Sequence, residues 1–157
     1  MQAVKILLYG IRATVVSPEL LAIVIGIGVH VFFPSVEEML SDVLTKEEVV
    51  QYLCFAPAAL LAWIVPCVSA VLSPNHGKRE LLSDWKERYI LKTYSIVALV
   101  YALACTAVGV YIFAKWDVNH RGGFGLALLV VICVSTLSAA SAYLAKHKLI
   151  ELLDEMK

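Results

Sequence analysis

Residues 73–92, SPNHGKRELLSDWKERYILK, decide how the chain is arranged, because this highly charged stretch lies between two long apolar segments. It contains five Lys or Arg residues and three acids. Neither residues 49–72 before it nor residues 93–114 after it contain a charged side chain. This alternation is typical of two membrane-spanning helices joined by a loop in water.

The composition of the whole chain agrees with a membrane protein. Its 157 residues are 61% hydrophobic and 17% charged, and the mean hydropathy is +0.81. Soluble domains contain fewer apolar and more charged residues. The formal net charge is zero, so there is no overall positive field to attract a nucleic acid. We expect the lipid bilayer as the surroundings and no nucleic-acid partner.

The apolar segments predict the fold class. Three of them are 22 to 24 residues long, enough at about 1.5 Å per residue to cross a hydrocarbon core of ~30 Å. A shorter segment begins with Ser17 as a helix cap, Pro18 in the first turn and Glu19 as a first-turn acid. We predict an all-α, four-span transmembrane helix bundle with short amphipathic interfacial helices, forming a single membrane domain. Its spans are residues 18–33, 49–72, 93–114 and 124–145.

The distribution of basic residues predicts the orientation. Ten of the thirteen Lys and Arg residues lie in the N-terminal segment, the loop of residues 73–92 and the tail of residues 146–157. By the positive-inside rule, these parts face the cytoplasm. We expect a protein of the bacterial inner membrane with both termini in the cytoplasm.

Two amphipathic helices are predicted outside the spans. Residues 2–12 place apolar side chains on one face, the pattern of a helix in the lipid interface. After Pro34, Ser35 and Glu38 have the spacing of a capping box and open an amphipathic helix on the outer surface. The loop around this helix is acidic, which is typical of a solvated helix face. A vestibule that collects cations is the alternative.

The tail continues the fourth span as an amphipathic helix. Its apolar stripe includes Leu149, Leu152 and Leu153. A homo-oligomer interface or a partner helix would cover this stripe, and packing against the middle loop of the same chain would cover it equally well.

The middle loop carries a second candidate interface. Trp85 and Tyr89 are four residues apart and suit a helix that anchors at the headgroup level. The same aromatic face, with Arg79 and Arg88, would also suit the docking of a partner protein, because Arg forms bidentate pairs that Lys cannot.

Three residues within the spans are candidate pore or hinge residues. Pro57 and Pro66 are nine residues apart, so they lie on opposite faces of a helix and predict two bends. Prolines are also ordinary in membrane helices. His30 continues a stripe of small residues formed by Ala22 and Gly26, so we expect it at a helix contact. It would act there as a proton acceptor or polar constriction, unless the nearby outer interface solvates it.

Catalytic, cofactor and metal sites have little support in the sequence. The four Cys residues are scattered over the spans without C-x-x-C spacing, so packing is the expected role of each. The glycines of residues 121–125, RGGFG, are interpreted as a turn into the fourth span. We expect no enzymatic activity, no cofactor and no metal.

Two resemblances extend this interpretation. Residues 77–85, GKRELLSDW, and residues 115–120, KWDVNH, resemble stretches of the Orm family of four-span endoplasmic-reticulum proteins. That resemblance implies a regulator that binds a membrane enzyme, as Orm proteins bind serine palmitoyltransferase. The span order, basic central loop and small size also resemble phage-exclusion membrane proteins of the RexB type.

Two functions follow from the sequence. The first is a homo-oligomeric pore or membrane effector, for example in defence or phage exclusion, in which His30 and the bent second span contribute to the pathway. The second is a regulatory or immunity subunit, which binds a protein partner through the cytoplasmic loop or the tail.

Overall fold

The computed structural model describes residues 17–44, 47–73, 88–116 and 121–155. These parts form five helices and no strand, which confirms the all-α prediction for the described residues. The predicted amphipathic segment of residues 2–12 lies outside the described residues. The helices are α1 (Pro18–Phe32), α2 (Pro34–Val43), α3 (Glu47–Leu72), α4 (Arg88–Lys115) and α5 (Arg121–Glu155).

Three of these helices, α3, α4 and α5, are long and apolar enough to cross a membrane. The fourth predicted span is α1, whose 15 residues reach only about 22 Å. Helices α1 and α2 meet the criteria for a span only as a pair, and this pair is bent by 99°. The structure therefore supports three spans, or four if the bent pair counts as one, and the four-span count is not confirmed.

The boundaries of α1 and α2 follow from local chemistry. The Ser17 hydroxyl accepts a hydrogen bond from the Leu20 N–H at 3.1 Å and caps α1, as predicted. Pro34 ends α1, because the residue before a proline is displaced from helical geometry. Pro34 also takes the first position of α2, and no side chain caps that helix. The capping box predicted at Ser35 and Glu38 is therefore wrong, since Ser35 is already inside the helix.

The core of the molecule lies where α3, α4 and α5 pack against one another. Small side chains let these helices approach closely. The central cluster is Ile64, Cys67, Val68, Ala98, Ala102, Ala139 and Ala142, all buried. A second cluster includes Leu44, Val50 and Leu128 at the Phe33 end of the bundle, where α1 ends and α5 begins. A third, at the opposite Leu72 end, includes Val71 and Leu149.

Glycines mark the closest approaches between helices. A Cβ atom at Gly109 of α4 would lie 2.7 Å from the Cys54 carbonyl oxygen of α3. A Cβ atom at Gly122 would lie 2.7 Å from the Glu37 carbonyl oxygen, and one at Gly125 would meet Leu44. Both of these glycines are inside α5, so the interpretation of RGGFG as a turn is wrong. Their role is to let α2 lie directly across the start of α5.

Candidate functional site

A groove lies between α1 and α4, with α5 as its floor. Helix α1 packs mainly on α5, and a Cβ atom at Gly26 would overlap the Val130 side chain. Because α1 does not close against α4, a space of about 530 Å³ remains between them. Ligand sites in proteins typically measure ~300–1,000 Å³.

The lining of this groove is apolar and rich in small residues. Ile27 and Val108 form facing walls from α1 and α4. Small lining residues allow an incoming helix to approach the backbone. They are Gly26, Ala104, Cys105, Gly123 and Ala127. The groove is therefore suited to an apolar occupant that enters from the lipid.

His30 lies on the rim of the groove and is not buried between spans. Its side chain is 62% exposed, and its Nδ1 atom forms an ion pair with Glu37 of α2. The helix that His30 contacts through this pair is α2, across the bend. The role of His30 as a proton acceptor or polar constriction, and its solvation at the outer interface, stay predictions.

The two prolines lie on opposite sides of α3, as their spacing predicts. Pro57 is buried and faces Gly109, at 3.7 Å from the position of its missing Cβ atom. Pro66 is exposed on the lipid-facing side. Helix α3 is continuous from Glu47 to Leu72 through both positions. A hinge or pore role for the prolines stays a prediction.

The tail stripe is largely covered by the chain itself. Leu149 and Leu153 are buried with Val71 of α3, and Leu91 of α4 packs against them. Leu152 is only partly buried. Of the covers that the sequence left open, packing within the same chain is the one observed for Leu149 and Leu153, and Leu91, from the last part of the segment 73–92, contributes to it.

The candidate interface of the middle loop is described only at its end. Arg79 and Trp85 lie outside the described residues. Arg88 begins α4, and its side chain also lies outside the description. Tyr89 is 36% exposed at the start of α4.

Sequence reasoning missed a buried polar contact between α1 and α5. Glu19 is only 3% exposed, and its carboxylate accepts a hydrogen bond from the Ser141 hydroxyl at 3.2 Å. The Ser17 hydroxyl lies 3.5 Å from the Tyr101 hydroxyl of α4. The interpretation of Glu19 as a first-turn acid is correct for its position but overlooked its burial. The sequence did contain a signal for this contact: Ser138 and Ser141, three residues apart in the fourth predicted span, put two hydroxyl groups on one face of the helix.

Five Ser and Thr hydroxyl groups in the described helices are bonded to the backbone of their own helix. Thr93, Ser95, Thr106, Ser135 and Thr136 each donate to the carbonyl oxygen four residues earlier. These hydroxyl groups therefore have their donors satisfied within their own helices.

The comparisons with protein-family models, curated proteins and solved structures give no match. The resemblances to Orm and phage-exclusion proteins therefore stay local observations on the sequence. Among the described residues, no three His, Cys, Asp or Glu side chains come together as metal ligands.

Proposed function

We propose that the protein is a non-enzymatic regulatory subunit of the membrane, which binds a transmembrane helix of a partner protein in the groove between α1 and α4. The observation that carries this proposal is the groove itself: an apolar space of about 530 Å³, open beside a closely packed bundle. The small residues of its lining favour a helix, because they permit backbone-to-backbone approach.

The side chains around the groove agree with a lipid-facing docking surface. Val24, Val100 and Leu103 are more than half exposed on the two helices that border it. In a bilayer these side chains contact acyl chains. A partner helix would replace those acyl chains and gain packing contacts along the groove, which is the main source of helix association in lipid.

The alternative proposal is a homo-oligomeric pore or membrane effector. Its support is weaker, because the centre of the described bundle is filled by apolar and small side chains such as Ile64 and Ala102. A pore would therefore have to form between copies. The acidic surface of α2 and the exposed His30 would then lie at its mouth.

Photocrosslinking tests the proposed docking in membranes. A photoreactive amino acid at Val108, which lines the groove, is compared with one at Val110, which is exposed on α4 but does not line it. We expect an adduct with one transmembrane segment of a second protein from Val108 only. Adducts with lipid alone, or with a second copy of the chain, contradict the proposal.

A groove-filling substitution provides the matched control. Ala104→Leu places a larger side chain in the groove, whereas Ala107→Leu adds the same volume at an exposed position of α4 outside the groove lining. Only Ala104→Leu should abolish the Val108 adduct. Conductance of the purified protein in planar bilayers decides the alternative: stable channels would favour the pore.

A further inference from the structure

The carboxylate of Glu19 is buried in the first turn of α1, where this helix packs against α5. Its contact, Ser141, belongs to the apolar segment Gly122–Leu153, and Tyr101, which lies next to Ser17, belongs to the apolar segment Tyr89–Lys115. An ionisable side chain that is only 3% exposed is costly to bury and is a functional candidate for that reason.

No basic side chain in the described parts of the chain forms an ion pair with Glu19. The pairs found there include His30 with Glu37, and Glu151 with His147 and Lys148. The titratable groups of the two neighbouring helices include Lys92, Tyr94, Tyr101 and Cys105 on α4 and Tyr143, Lys146, His147, Lys148 and Glu151 on α5. Among the described residues, the Ser141 hydroxyl donates to this carboxylate. A carboxylate has about four lone-pair sites, so acceptor capacity remains for a cation.

A second observation comes from Ser138. Its hydroxyl is fully buried and has no hydrogen-bond partner among the described residues, unlike Ser135, which donates to its own helix. Ser138 precedes Ser141 by three residues, so both lie on one face of α5. Val134, one turn before Ser138, packs in a cluster with Ala22 and Ile23 of α1. Ser138 therefore lies along the same contact with α1 as the Glu19–Ser141 hydrogen bond.

We propose that the Glu19 carboxylate and the hydroxyl oxygens of Ser138 and Ser141 bind a monovalent cation between α1 and α5. Carboxylate and hydroxyl oxygens are hard ligands, which suit alkali cations better than soft transition metals. A single carboxylate balances a single positive charge, and within the described residues Glu19 belongs to no group of three or more His, Cys, Asp or Glu side chains. The cation would supply the missing partner of both Glu19 and Ser138.

Carbodiimide labelling of the full-length protein in mild detergent tests this site. The reagent adds to a protonated carboxyl group, so a bound cation that keeps Glu19 deprotonated blocks the reaction. Labelling is compared in sodium, lithium, potassium and choline chloride at equal ionic strength and pH. We expect Glu19 to be labelled in choline, and at least one alkali cation to slow labelling by about tenfold at ~10 times its Kd.

Three variants and a second measurement distinguish a cation-binding site from a buried acid that only contributes to the packing of the helices. Ser138→Ala should weaken the protection by the cation, whereas Ser135→Ala, at an equally buried serine with a satisfied hydroxyl, should not. Thermal unfolding of the parent protein should occur at a higher temperature in the protecting cation than in choline, and Glu19→Gln should remove that difference. Labelling that depends on pH alone, or an absence of labelling with equal unfolding temperatures in all four salts, overturns the proposal.

Discussion

Gly109 shows how strongly a single residue can determine the packing of two helices. The missing side chain allows α4 to approach the Cys54 carbonyl oxygen and the ring of Pro57 on α3. The proline removes a hydrogen-bond donor from α3, and the glycine faces the same stretch of backbone. The two residues together define a position where the helices meet with little side-chain volume between them.

Gly109→Val should destabilise the bundle by about 1–3 kcal/mol, because the new side chain overlaps backbone that cannot move without separating the helices. Reversible unfolding in mixed detergent micelles would measure the change. Gly28→Ala is the matched control, since a Cβ atom at Gly28 meets nothing within 4 Å. Equal losses for the two variants would contradict this account of the α3–α4 contact.

At the scale of single helices, the bend between α1 and α2 carries an ion pair. His30 and Glu37 face each other across it, and both side chains are at least partly exposed. Exposed pairs contribute only ~0–1 kcal/mol. The pair is therefore expected to orient α2 and not to stabilise the whole fold.

Glu37→Gln should raise the hydrogen-exchange rates of the α2 amides while leaving global stability within about 1 kcal/mol of the parent. Hydrogen exchange followed by mass spectrometry measures both. Glu38→Gln, at an exposed acid of the same helix outside the described ion pairs, should leave exchange unchanged. An unfolding of the entire molecule in Glu37→Gln would show that the pair has a larger role.

The end of α5 is a second element whose packing can be tested. Leu149 is 5% exposed among Val71, Ala145 and Leu153, whereas Ile150 is 45% exposed. Leu149→Ala should cost about 2–5 kcal/mol, because it leaves a cavity, and Ile150→Ala should stay within ~0.5 kcal/mol of the parent. The free energy of unfolding and the yield of cross-linked oligomers are measured for each variant. If Leu149→Ala loses oligomers but keeps the stability of the monomer, the tail is an interface between copies and not part of the core.

At the scale of the whole molecule, three apolar helices connect the Phe33 end to the Leu72 end. The excess of basic residues predicts that the Leu72 end faces the cytoplasm. With the native cysteines replaced, a single cysteine at Glu38 should react with an impermeant reagent in intact cells, and one at Ser73 should react only after lysis. Both positions are exposed. Labelling of Ser73 from outside would reverse the orientation.

The long helices could be predicted from the sequence because a span requires many consecutive apolar residues, as in residues 49–72. The Ser17 cap was also predictable, since its hydrogen bond is local. The groove could not be predicted from the sequence, because it depends on how far α1 lies from α4 in the folded protein. The burial of Glu19 depends on Ser141, 122 residues away, and the close approach at Gly122 depends on α2. Contacts between distant segments leave no periodic pattern in a single sequence.

The attachment of α1 to α5 has a consequence for biosynthesis. Helix α1 emerges from the ribosome well before its main partner α5, which begins at Arg121, about 90 residues after Phe32. Protein synthesis proceeds at ~5–20 residues per second, so α5 is completed several seconds or more after α1. During this interval Glu19 and the packing face around Gly26 lack the α5 contacts of the folded protein, and the groove lacks its floor.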